Sequence, residues 1–213
     1  MIQRFNRSHF YRSVAWIAGG TAVSQAIGIA AQPILSRLYL PSDFGLLSCF
    51  LAILAVIQPL GTLTYSLTIP IADNDRLAAN LVRLCFTITA VMGLALGAGV
   101  LVFADLLRGH WPALGQNKYL LLIPIWFLGA ALYETLSAWA ARNRHFNVIA
   151  RTKMSQGILG AGVKILLGFL GIRPIGLLLG NIVNNAAGCG GIFWRLFKAE
   201  PALIKDFSWQ GLR

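Results

Sequence analysis

"PILSRLYLPSDFGLL", residues 33–47, sets an arginine, two prolines and an aspartate between two apolar runs. Such a stretch is either a loop on a soluble protein or a tight turn where the chain leaves a bilayer and re-enters it. Composition separates the two. Of 213 residues, 57% are hydrophobic and 12% charged, whereas an ordinary soluble domain carries about 25% charged residues. Residues 14–35, 44–72, 77–104, 119–141, 154–172 and 174–194 are each mostly apolar. About 20 helical residues cross a ~30 Å hydrocarbon core, and backbone in lipid must be hydrogen-bonded within its own segment. The expected fold class is an all-α membrane protein, a six-transmembrane-helix bundle. Its approximate spans are 14–35, 44–70, 77–104, 118–141, 148–171 and 174–196, forming one membrane-embedded lobe over 1–213. The period-2 alternation that a membrane barrel needs is absent from the sequence.

Within that frame the opening stretch reads as a turn outside the membrane. Pro41 is unsuited to a helix interior, and Ser42 or Asp43 can cap the next helix. Tyr39 and Phe44 suit an interface. Charge distribution agrees. With the amino terminus in the cytoplasm, only Arg37, Arg108, Lys118 and Arg173 fall outside and Lys164 within a span. The other 13 of the 18 Lys and Arg residues fall inside, as the positive-inside rule requires. The net charge of +11 is thereby assigned to topology and anionic lipid headgroups, and no nucleic-acid partner is expected. Residues 1–13 read as a basic amphipathic lead on the inner surface. Span one reads as an uncleaved helix rather than a signal peptide, because five more spans follow.

Local punctuation refines the spans. Pro59 and Gly61 predict a kink in span two. Pro70, Asp73, Asn74 and Asp75 predict a turn and a helix start. Gly93 and Gly97, four apart, let helices approach closely. Cys49, Cys85 and Cys189 lack metal or disulfide spacing. His9, His110 and His145 stand apart from one another, and no phosphate loop or nucleophile elbow occurs. No catalytic residue, metal or cofactor is expected, and the chain is not expected to be an enzyme.

Ionisable groups inside spans are costly and usually have a purpose. Glu134 lies about two turns from the inner end of span four, and Lys164 three to four turns into span five. Their depths differ by roughly 8 Å at 1.5 Å per residue, so the two can pair and pin helices, or line an aqueous cavity and handle a charged substrate or proton. Arg37 either snorkels to the outer interface or joins that cavity. Ser24, Gln25 and Gln32 on span one, with Asn181, Asn184 and Asn185 on span six, either line a hydrated interior or bond helix to helix.

The run "GGTAVSQAIGIAAQPILSRLYLPSDFGLLSCFLAI", residues 19–53, resembles the start of the polysaccharide, or O-antigen, flippases. These belong to the multidrug/oligosaccharidyl-lipid/polysaccharide exporter superfamily. The matching residues are Gln25, Pro33, Ile34, Leu35, Arg37, Leu38, Tyr39, Pro41, Phe44 and Gly45. "DNDRLAANLVRL", "WAARNRHFNVIARTKMSQ" and "GLLLGNIV" resemble later parts of the family's pattern more weakly. Where the family often carries arginine–tyrosine–glutamate, this chain reads Thr64, Tyr65 and Ser66.

The resemblance implies the amino-terminal half of a two-lobe transporter in the bacterial inner membrane, both termini cytoplasmic. It implies a partner in undecaprenyl-pyrophosphate-linked oligosaccharide, the lipid bilayer around it, and a second lobe or homodimer partner across the cavity. A cationic cavity suits Arg37 and Lys164, and the candidate substrate-binding residues are Arg37, Gln25, Lys164, Glu134 and Asn181. The chain is expected to be a fragment, a truncated gene product or a half that dimerises, and not to transport alone. Two alternatives are a six-span assembly or scaffold protein and half of a cation-coupled drug exporter. A membrane transferase is disfavoured by the lack of a carboxylate or histidine cluster.

Overall fold

The computed structural model describes residues 7–103 and 117–193. Seven α-helices and no strand occur among them: α1 (Arg7–Leu38), α2 (Pro41–Ile57), α3 (Asp75–Val102), α4 (Asn117–Leu120), α5 (Leu122–Arg142), α6 (Phe146–Phe169) and α7 (Ile175–Ala186). After a turn at Ala187 and Gly188, residues 189–193 are helical again. Part of the expected outer loop, 104–116, and the tail from residue 194 lie outside the described residues.

Residues 33–47 form a tight connection. α1 ends at Leu38 and α2 starts at Pro41, because proline's fixed φ and missing N–H suit a first helical position. Asp43 caps from the third position: its Oδ2 accepts the Leu40 N–H at 2.9 Å. Pro33, in contrast, sits inside α1 without ending it. The expected basic lead is not a separate element from residue 7 onward, since α1 is continuous from Arg7.

Span two departs most from expectation. The helix does not merely kink at Pro59; it stops at Ile57 and gives way to two 3-10 segments, Gln58–Leu60 and Tyr65–Ile71. Between them Leu63 and Thr64 have φ of 46° and 62°, a left-handed backbone that no α-helix continues through. Pro59 and Pro70 remove two further backbone donors.

Four helical stretches are long and apolar enough to cross a membrane by length and composition: Pro41–Leu60, Asp75–Val102, Leu122–Arg142 and Ile175–Phe193. α1 and α6, expected as two more spans, are not among them. Both are long, at 32 and 24 residues, but glycine and polar side chains dilute their apolar character. They run along each other, and α6 runs along α7. α3 packs on α5, and α5 joins the two groups by packing on α7.

Small residues make these approaches possible. A Cβ on Gly157 of α6 would lie 2.6 Å from the Ser24 Oγ of α1, and one on Gly160 would lie 2.6 Å from the Asn184 Cβ of α7. Of the expected Gly93–Gly97 pair, only Gly93 serves this purpose, against Leu128; Gly97 meets open space. Apolar cores fill the remainder. One gathers Phe50, Leu54, Ile123, Trp126 and Leu178, a second Ile69, Cys85, Tyr133, Trp139 and Ile149, and a third Ala31, Leu35, Tyr39 and Leu177.

Candidate functional site

The expected site residues fall into three separate places. Glu134 projects from α5 onto the broken segment after α2. Ser66 Oγ donates to Glu134 Oε1 at 2.5 Å, and Thr62 Oγ1 donates to the same oxygen at 3.4 Å. The two hydroxyls lie 3.2 Å apart. Thr62 and Ser66 are each only 1% exposed. The break is itself tied down nearby, for Thr89 Oγ1 of α3 donates to the Gly61 carbonyl at 2.8 Å. Nothing joins Glu134 to Lys164, so the proposed ion pair between them is not formed. The reason is facing: Glu134 points to the α3 side of α5, whereas Lys164 lies at the α6–α7 contact.

Lys164 is half-buried. Its stem runs past Gly180 of α7, where an added Cβ would collide with it. Its backbone carbonyl accepts the Tyr39 phenol at 2.6 Å, but its ammonium has no hydrogen-bond or ion-pair partner among the described residues. Tyr39 itself sits in the turn before α2, 3% exposed. Burial, then the Asp43 carboxylate, pushes its phenol above the ordinary value, with Arg173 acting against them. It therefore stays a neutral donor that ties the α1–α2 turn to α6. Arg37 is exposed in the last turn of α1. Gln25 is also exposed, as is Gln32.

Asn181 belongs to a network between helices. Its Oδ1 accepts Trp126 Nε1 of α5 at 3.3 Å and Asn185 Nδ2 at 2.9 Å. Gln156 of α6, 2% exposed, donates to the Asn185 carbonyl at 3.2 Å. Of the two readings of the polar band, helix-to-helix bonding describes Asn181 and Asn185. Gln25 and Gln32 are not part of that network.

Sequence reasoning missed Thr62, Ser66, Gln156 and Arg142. Arg142, at the end of α5, holds the end of the broken segment. Its Nη1 donates to the Ala72 carbonyl at 2.5 Å and to the Ile69 carbonyl at 3.3 Å, and its Nη2 pairs with Asp75 at 2.9 Å. The signal for these partners was the density of Pro, Gly and Thr over residues 58–72, which makes an intact helix there improbable. The expected helix start falls at Asp75, the first residue of α3, whose carboxylate pairs with Arg142; Asn74 precedes α3 and makes no side-chain cap.

With no strand among the described residues, four stretches long and apolar enough to cross a membrane, and ionisable and amide side chains placed between its helices, the chain is a multi-pass membrane protein. The sequence model of a family described as "Polysaccharide biosynthesis protein" matches residues 34–211, and the chain belongs to that family. No curated protein and no solved structure matches the chain.

Proposed function

We propose that this chain is one lobe of a transporter that moves a lipid-linked oligosaccharide across the bacterial inner membrane. In this reading it is not an enzyme. α1 and α6 also span the bilayer, giving six spans with both termini cytoplasmic, and a second lobe or second copy supplies the facing wall. Family membership supplies the polysaccharide context. The structural observation that carries the reading is Lys164, a half-buried cation with no counter-charge among the described residues. A lysine within a span costs about 2.5–3.5 kcal/mol on insertion scales, and a pyrophosphate or sugar acid offsets that cost when bound. Exposed Arg37 and Gln25 on α1 offer further contacts, to phosphate and to sugar hydroxyls. Asn181, engaged with Trp126 and Asn185, positions α7 rather than meeting substrate.

The test is a hybrid in which this chain is joined to the carboxy-terminal lobe of a full-length relative, expressed in a flippase-null strain. The hybrid restores surface polysaccharide. Lys164→Ala lowers it about tenfold or more, in line with losing one charge-assisted contact of about 1.5–3 kcal/mol, at unchanged membrane level of the protein. Undiminished polysaccharide in that variant contradicts the reading.

A further inference from the structure

We propose that the helical bundle bends as two halves about the level where α5 passes Gly61 and Ala186, with residues 58–64 and 187–188 as the two joints. Two of the expected spans are interrupted. α2 stops at Ile57 and gives way to 3-10 segments, and α7 stops at Ala186, before a turn and a second helical stretch. Both interruptions meet the continuous helix α5 at the same height. A Cβ on Gly61 would lie 2.9 Å from the Ala131 Cβ, and one on Gly129 would lie 2.8 Å from the Ala186 Cβ. Residues 129 and 131 are about 3 Å apart along the helix axis and about 200° apart around it. α5 therefore runs between the two breaks, with one on each side.

The apolar cores divide at the same level. The core built on Phe50 and the core built on Ile69 share no residue, and the boundary falls between Ala130 and Tyr133 on α5. On α3 it falls between Cys85 and Val100. On the interrupted spans it falls between Leu54 and Ile69 and between Ile182 and Ile192. The third core, through Tyr39 and Leu177, belongs to the half that holds Phe50, since both pack against Leu47. Polar ties respect the division. The Tyr39–Lys164 bond at 2.6 Å and the Trp126–Asn181 bond at 3.3 Å lie in one half. Those of Arg142 with Ala72 and of Tyr133 with Thr152 lie in the other. α2 makes no side-chain hydrogen bond to another helix among the described residues. Its hold is apolar and therefore non-directional, so a small shift breaks no bond.

A bend needs joints, and the interruptions are where they can be. An α-helix rises a fixed 1.5 Å or so per residue, so helices packed side by side tilt as halves only if some of them change length. A 3-10 segment rises about 2.0 Å per residue, and a few residues at the end of an element can absorb the change in φ and ψ. Leu63 and Thr64, at 46° and 62°, and Gly188, at 101°, stand at those ends. Where α5 passes between the joints it carries three small residues in a row, Gly129, Ala130 and Ala131, and glycine weakens a helix interior. Beyond each joint the chain is fastened again, by Arg142 to the Ala72 carbonyl and by Ile192 in the Ile69 core. The use of this bend to open a substrate path rests on the transport reading; the bend itself does not.

The test is double electron–electron resonance on the full chain in lipid vesicles, with its three cysteines replaced by alanine and spin labels on exposed positions. Ser48→Cys with Leu77→Cys reads across the level, and Ser48→Cys with Leu101→Cys reads within one half. Ser48 stands 13 residues before Gly61, an arm of about 20 Å. A bend of about 15° over that arm changes the first distance by about 5 Å. The expected result is a distance distribution across the level that is broader than the one within the half. It broadens further in Leu63→Gly, because glycine takes and leaves the left-handed backbone freely. Equal widths for the two pairs overturn the proposal, and so does an across-level width that Leu63→Gly leaves unchanged. Hydrogen exchange on the unaltered chain covers a cysteine-free variant that does not fold. Thr62 is only 1% exposed, yet peptides over 58–64 and 185–189 should exchange about tenfold or more faster than those over Thr89 and Ala131, as local opening requires. Equal protection overturns the bend. Neither measurement reads polysaccharide, so failure of the bend is distinct from failure of the transport reading.

Discussion

Tyr39 illustrates how single side chains couple distant segments here. Its phenol reaches across from the α1–α2 turn to the Lys164 carbonyl at 2.6 Å. Tyr39→Phe keeps the ring and loses the bond, and an ordinary hydrogen bond contributes about 0.5–1.5 kcal/mol. A drop of that size in unfolding free energy in detergent is expected, and no drop would show that the bond contributes nothing. Lys164 and Glu134 were both legible in the sequence, because a charge within an apolar run stands out. Their mutual relation was not. Depth along two helices is readable from residue number, but which face each residue takes depends on how α5, α6 and α7 rotate about their axes. Ser66 stood out in the sequence only as a departure from the family's arginine–tyrosine–glutamate run, which gave no sign that it bonds to Glu134.

The helices themselves make sharper predictions. Gly160 and Gly162 are two residues apart on α6, one against the Asn184 Cβ at 2.6 Å, the other with nothing within 4 Å. Gly160→Ala forces α6 and α7 apart, costing about 1–3 kcal/mol as overpacking does. Gly162→Ala gains up to about 1 kcal/mol of helix propensity. Thermal unfolding in detergent should move in opposite directions for the two; the same direction for both would refute the packing. The latch on the broken segment gives a second contrast. Arg142 is 12% exposed and Asp75 94%, so the carbonyl bonds carry the hold and the ion pair adds little. Arg142→Ala should cost about 1.5–3 kcal/mol and speed protease cleavage between residues 61 and 74. Asp75→Asn should do neither, and equal effects would mean that the ion pair is the latch. Most helix positions were readable from apolar run length, and the α1–α2 turn from Pro41. The break was underestimated because a helix kink and a helix stop share the same Pro and Gly signals. The two left-handed residues that make it a stop, Leu63 and Thr64, are types that rarely adopt that backbone.

At the scale of the whole molecule, the account holds that a helical chain of this family threads a bilayer with Tyr39 and Arg144 at opposite ends. The described helices support that arrangement in one respect independent of composition. α1 and α2 meet at Tyr39 and Leu40, and α5 and α6 meet at Asn143 to His145, one full helix length of α6 away. Family membership was legible in the run from Gln25 to Gly45, because that turn needs particular residues at particular places. The second lobe and the sugar of the proposed transport reading were not, since nothing in a single chain's sequence marks either. The most direct measurement fuses a reporter active only in the periplasm after Leu40 and, separately, after Arg144 of the chain expressed in bacteria. High activity at Leu40 with low activity at Arg144 is the predicted result. Equal activity at the two positions, or a chain recovered in the soluble fraction, would contradict it.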